Sequence, residues 1–118
     1  MTTESDLFNT LKSLAANRVY PDLAPLSALR PFIVYSQVGG ESLAFLNNAL
    51  PDKKHGRFQI DVYADSRAGC ALVALQVETA MAAATVFNAR AIGAPTSTYE
   101  PDVLIFGSQQ DFSIYSTR

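Results

Sequence analysis

The chain has 118 residues, a formal net charge of −2, 48% hydrophobic residues and one cysteine. That length can bury a core without cross-links, and the lone Cys70 excludes an internal disulfide and any paired-cysteine zinc or redox motif. The weak negative charge argues against a surface that coats nucleic acid by bulk charge, and no apolar run reaches the length of a membrane span.

The N-terminus is polar and acidic, unlike a secretory signal, so the chain is expected to be cytoplasmic where it is made. Thr3 followed by Asp6 resembles a capping box with Asp in place of Glu. Leu7, Phe8, Leu11, Leu14 and Ala15 then share one side at helical spacing, which predicts a short amphipathic helix over residues 4–16. Arg18, Val19, Tyr20 and Pro21 form a brief extended piece. Pro25 and Pro31 keep residues 23–30 irregular, because residues before proline avoid the α region. Residues 32–38 are β-branched and aromatic, a second strand that Gly39 and Gly40 end or bulge. The glycine pair is no phosphate loop, since neither a helix nor a Gly-Lys-Ser/Thr run follows it.

Residues 42–55 join two strands by more than a tight turn, and such connections are commonly functional or disordered. Leu43, Phe45, Leu46 and Leu50 lie in this flap, either folded back on the sheet or covered by another subunit. Phe58, Ile60, Val62 and Ala64 alternate with Arg57, Gln59, Asp61 and Tyr63, a strand with one buried and one wet face. Asp61 is expected on the wet face, paired with Arg57 or Arg90. At Asp65 and Ser66 the period becomes helical, and either residue can cap the helix that follows. Leu72, Val73, Leu75, Val77, Ala80, Ala83, Val86 and Phe87 cover well over half of its circumference. A helix apolar nearly all round must be covered on more than one side. Gln76 points into this arc, so its amide is expected to bond to a backbone or to a neighbouring subunit.

Residues 88–92 return as a strand and 96–99 look extended. Glu100, Pro101 and Asp102 are turn chemistry, Val103, Leu104, Ile105 and Phe106 are apolar, and residues 111–115 alternate as the closing strand. The expected fold is α+β in a single domain over residues 1–118. It is a two-layer sandwich of a mostly antiparallel or mixed sheet of four to five strands, with one long and one short helix on one face.

Chemistry is sparse. His55 is the single histidine, and it sits in a basic run that reads as the tip of a hairpin. No nucleophile elbow, His-x-x-x-His, Cys-x-x-Cys or calcium-loop spacing occurs, so no enzyme, metal or cofactor is expected. Cys70 reads as a small buried hydrophobe. Lys53, Lys54, His55 and Arg57 are either a solvated tip or, multiplied by symmetry, a ring of charge facing nucleic acid or an acidic partner.

In this order, several segments resemble the bacteriophage tail terminator, or tail completion, proteins of long flexible-tailed phages. They are the N-terminal helix with Arg18, Val19, Tyr20 and Pro21; residues 31–35 leading to Gly39, Gly40 and Glu41; residues 57–63 before the alanine-rich helix; and residues 99–102 leading to 111–115. The resemblance covers nearly the whole chain, and its weight lies in the order of the segments. It implies a structural virion protein, located at the head–tail junction, that caps the head-proximal end of the tail tube as a homo-hexameric ring. That ring would stop tube polymerisation and offer a joining surface to a head connector or stopper protein. DNA would pass through its lumen without sequence-specific binding.

On that reading Leu43, Phe45, Leu46, Gln76, Val103, Leu104, Ile105 and Phe106 are subunit or partner contacts, and Lys53, Lys54 and Arg57 are lumen or docking charges. One departure is that family members tend to carry an arginine shortly before the last strand, where this chain has uncharged residues 103–108. The alternatives are a head-completion or connector ring, or a small ligand-binding regulatory α+β domain.

Overall fold

The computed structural model describes residues 2–42 and 52–117. The elements in order are α1 (Thr3–Leu11) with a 3-10 turn at Lys12–Leu14, β1 (Val19–Pro21), β2 (Phe32–Gly39), β3 (Lys53–Ala64), α2 (Arg67–Ala83), β4 (Asn88–Ala91), β5 (Thr96–Glu100) and β6 (Ile105–Thr117). The α+β class expected from the sequence holds, with six strands among the described residues rather than four or five.

The sheet is built on β3 and β6, which pair antiparallel from Lys53 opposite Thr117 to Ala64 opposite Phe106. The strand order is β1-β2-β3-β6-β4, with β5 also on β6. The β1–β2 pair is parallel and the other pairs are antiparallel, so the sheet is mixed. Period-2 alternation decides which face meets the helices. Ile33, Tyr35, Phe58, Ile60, Val62, Phe112 and Ile114 face them and pack with Leu7 and Leu11 of α1 and Val73, Val77 and Met81 of α2.

Both helices start on a side-chain cap. Ser66 Oγ accepts from the Gly69 N–H at 3.0 Å, and Thr2 Oγ1 accepts from the Ser5 N–H at 3.1 Å. The α1 cap is thus one residue earlier than the Thr3–Asp6 pattern suggests. Thr3 instead reaches across to β6, where its hydroxyl bonds the Ser116 hydroxyl at 2.7 Å. Helix α2 ends at Ala83, so Phe87 enters the core from the following turn rather than from the helix.

The other sheet face is not uniformly wet. Residues 22–31 fold over it, and Phe32, Val34 and Ile105 form a second small core with Tyr20, Tyr63, Ala24 and Ala28. Phe32 stacks on Tyr63 with ring centroids 5.1 Å apart. At the opposite end of the strands the chain leaves β2 through Gly40, whose φ is +143°. A Cβ there would lie 2.6 Å from the His55 carbonyl oxygen, so only glycine lets this segment cross so close to β3. The protein is elongated, 52 × 24 × 23 Å.

Two expected boundaries move. Lys53, Lys54, His55 and Arg57 lie within β3 rather than at a hairpin tip. The closing strand begins at Ile105, not at residue 111. Of the flap, residues 43–51 lie outside the described residues, and with them Leu43, Phe45, Leu46 and Leu50.

Candidate assembly surfaces

Helix α2 buries one stripe and leaves another bare. Cys70, Val73, Ala74, Val77 and Met81 face the sheet. On the far side Leu72 is 57% exposed and Leu75 60%, with Ala71, Ala82 and Ala83 beside them and Val86 just beyond. Gln76 is exposed in the middle of this strip, and it forms no hydrogen bond among the described residues. The backbone partner that its apolar surroundings suggested is therefore not made among the described residues. Among the described residues this apolar strip is left largely exposed.

A second apolar surface lies at the end of the molecule where β2 begins and β3 ends. Leu23, Leu26 and Leu29 project from residues 22–31, and Val103 and Leu104 from the turn before β6; all five are exposed. Arg30 binds these two segments into one platform. Its guanidinium donates to the carbonyls of Val103 and Leu104 at 3.0 and 3.1 Å and to Asp65 Oδ1 at 3.0 Å. The sequence gives the three leucines at three-residue spacing between two prolines; the missing signal was that prolines keep them off any buried helix face.

The neighbours of that turn behave differently. Ile105, expected at a subunit or partner contact, is buried against Phe32 and Val34, so it is corrected to a core residue. Phe106 is half-buried: Tyr99 packs on it at 4.7 Å and the Arg67 guanidinium lies 5.3 Å over its ring. The uncharged surface before the last strand therefore reduces to Val103 and Leu104.

Strand alternation splits the basic run. Arg57 Nη2 meets Asp111 Oδ2 at 2.7 Å on the sheet face away from the helices, which balances its charge locally. Lys54 is half-buried on the other face, in a cleft with Thr3, Glu4 and Ser116. Lys53 is exposed at the strand start and its Nζ donates to Thr117 Oγ1 at 3.3 Å. The three cations do not form one patch, because neighbouring residues of a strand point oppositely.

His55 is held, not poised. Its Nδ1 accepts from the Glu41 N–H at 2.8 Å, which places the ring proton on Nε2, and Nε2 lies 2.7 Å from Ser113 Oγ. In that tautomer Nε2 donates to the serine and cannot take its proton, so the pair is not an activated nucleophile. Burial pushes the Cys70 thiol pKa up, and its Sγ points at the Val62 carbonyl 3.5 Å away, the setting of an inert cysteine. Among the described residues no three His, Cys, Asp or Glu side chains converge as metal ligands.

Asp61 corrects an expectation. It is 7% exposed, lies under residues 22–31, and is bound by Gln59 Nε2 at 3.2 and 3.1 Å rather than by Arg57 or Arg90. Burial, together with the Asp111 charge, raises its pKa, an effect the Gln59 bond partly offsets. A carboxyl whose folded pKa is raised destabilises the fold once ionised. Its cost is absent below the unfolded pKa, grows as pH rises toward the folded pKa, and is fully present above it. Asp61→Asn should therefore flatten the fall of stability with rising pH just above the ordinary carboxylate range. Urea melts at a series of pH values check this; parallel profiles for the two proteins would contradict it.

Among the described residues, then, a mixed-sheet α+β fold carries exposed apolar strips outside its core. The sequence profile of the family described as tail completion protein gp17 matches residues 7–117, and the chain belongs to that family. It is a structural protein of the virion tail, at the head–tail junction. The chain is similar in fold to a solved chain from a structure described as "Virion of native gene transfer agent (GTA) particle". The TM-score is 0.69 at 15% identity, covering 98% of this chain and 95% of that chain. No curated protein sequence matches the chain. Among the described residues no helix is long and apolar enough to cross a membrane.

Proposed function

We propose that this chain, acting as one domain, closes into a homo-hexameric ring on the head-proximal end of the tail tube. The ring stops further tube growth and presents the surface to which a head connector or stopper protein joins. DNA passes through its lumen without sequence-specific binding, and the role involves no catalysis. The observation that carries this reading is the outward strip of α2. Burying a leucine fully is worth about 1.5–3 kcal/mol, and Leu72 and Leu75 are each more than half exposed in the isolated chain.

A ring of identical copies is built from one heterologous contact repeated until it closes. Leu72, Leu75 and Gln76 supply one side of that contact, with the Gln76 amide bonding to the neighbouring copy. Leu43, Phe45 and Leu46 belong to the same proposal as contacts from the flap. The two ends of the molecule differ in chemistry, which suits a collar with unlike rims. One end carries the apolar platform of Leu23, Leu26, Leu29, Val103 and Leu104. The other carries Lys53 and Lys54, the charges we assign to the lumen or to docking; Arg57, balanced by Asp111, adds little to them.

Tube protein polymerised with and without this protein tests the role. Electron microscopy should show it at one end of each tube, with growth at that end arrested. Tubes that lengthen unchanged, or protein scattered along their sides, would contradict it.

A further inference from the structure

Beneath residues 22–31, on the sheet face away from the helices, lies a cleft of about 300 Å³. Its sides are apolar, with Leu23, Leu26, Phe32, Val34, Val103 and Ile105 among them. Two carboxylates line it, Asp22 and Asp61, and the one cation beside them, Arg30, is already bound to Asp65 and two carbonyls. The cleft is therefore acidic inside and greasy at its walls. Its size is at the low end for a ligand pocket and suits one side chain rather than a whole metabolite.

Asp61 is underserved among the described residues. An ionised carboxylate offers about four acceptor positions, and here both oxygens share a single nitrogen, Gln59 Nε2, at 3.2 and 3.1 Å. A second cation on the same face, Arg57, is committed to Asp111. Burial and the Asp111 charge both disfavour ionised Asp61, and a cation delivered from outside would reverse both effects.

We propose that this cleft receives one arginine or lysine side chain, presented between apolar residues by a partner protein at the joint. The proposal rests on reading this end of the molecule as a docking surface. The partner's aliphatic stem lies along the apolar walls while its charged head reaches Asp61. Arginine fits better than lysine, because its planar fork can donate to both carboxylate oxygens at once. An anionic ligand is excluded by Asp22 and Asp61. A hard divalent cation would need more oxygen ligands than these two residues supply.

Fragment binding followed by amide NMR on the free protein tests this without requiring any ring. With n-butylguanidinium chloride as the probe, shifts at Phe32, Val34, Tyr63 and Ile105 should saturate. The uncharged n-butanol should bind at least tenfold more weakly, and Asp61→Asn should weaken butylguanidinium by at least tenfold. If that variant does not fold, lowering the pH of the wild type until Asp61 is protonated must release the probe instead. Shifts at the same residues on raising protein concentration, lost in Arg90→Ala, would show that the arginine comes from a second copy and would overturn the assignment to a partner protein. Equal binding of n-butanol, indifference to the Asp61 charge, or no shift in the cleft would overturn it. Because the readout is local, such a failure would leave the ring on the tube end standing, and a failed ring would leave a positive fragment result standing.

Discussion

Replacing Leu72 and Leu75 together by aspartate should leave the free chain folded and abolish its assembly. Both side chains stand on the outward side of α2 and are more than half exposed, so the isolated fold loses little packing. The lower helix propensity of aspartate costs about 1 kcal/mol for the pair. Assembly loses far more. Burying the exposed parts of the two leucines is worth about 2–4 kcal/mol at each contact, and every 1.4 kcal/mol is tenfold in affinity. Each contact should weaken by roughly 10²-fold, before the cost of burying two carboxylates is added. Circular dichroism melts alongside sedimentation with tail tubes read the two effects separately. A variant that melts like wild type and no longer sediments with tubes is the expected result, whereas undiminished tube binding would remove α2 from the interface.

Phe112→Ala should have the opposite profile, weakening the fold itself rather than its assembly. Phe112 is 1% exposed on β6, opposite Phe58 on one side and Ala91 on the other, in the core that α1 and α2 share. Truncating a buried phenylalanine costs about 3–5 kcal/mol, a large part of a stability that for a domain of this size totals about 5–15 kcal/mol. The melting temperature should fall by roughly 15–25 °C. A drop of only a few degrees would mean that the core can collapse around the missing ring, or that β6 is not central.

What could be read from the sequence was what local pattern determines. Phe58, Ile60, Val62 and Ala64 alternate cleanly, and all four are buried where that alternation puts them. The circumference of α2 was legible for the same reason, and its surplus is real: Leu72 and Leu75 point away from the core. The first half of β6 was hidden because polar residues occupy its inward positions. Ser108 and Gln110 are buried there, and Gln110 is satisfied by Glu78 and the Gly93 carbonyl, partners distant in sequence that no local pattern announces.

Asp61 shows the same limit on the candidate site. Alternation correctly put it on the face away from α2, but nothing local tells that residues 22–31 fold back over that face. The basic run differs for another reason. A turn at residues 53–57 would gather four basic groups into one cluster, whereas a strand sends Lys54 to one side and Arg57 to the other. The leucines at 23, 26 and 29 carried information that went unused, since an irregular, proline-bounded segment rich in leucine has no core face of its own on which to hide them.

The most direct test of whether the bare face of α2 is covered by another copy is the mass of the assembled species. Native mass spectrometry or light scattering would be run across protein concentration, with and without purified tail tubes. Six copies of the 12.8 kDa chain, formed at high concentration or on tube ends, is the expected mass. A chain that stays monomeric at every concentration and never associates with tubes would contradict the collar outright.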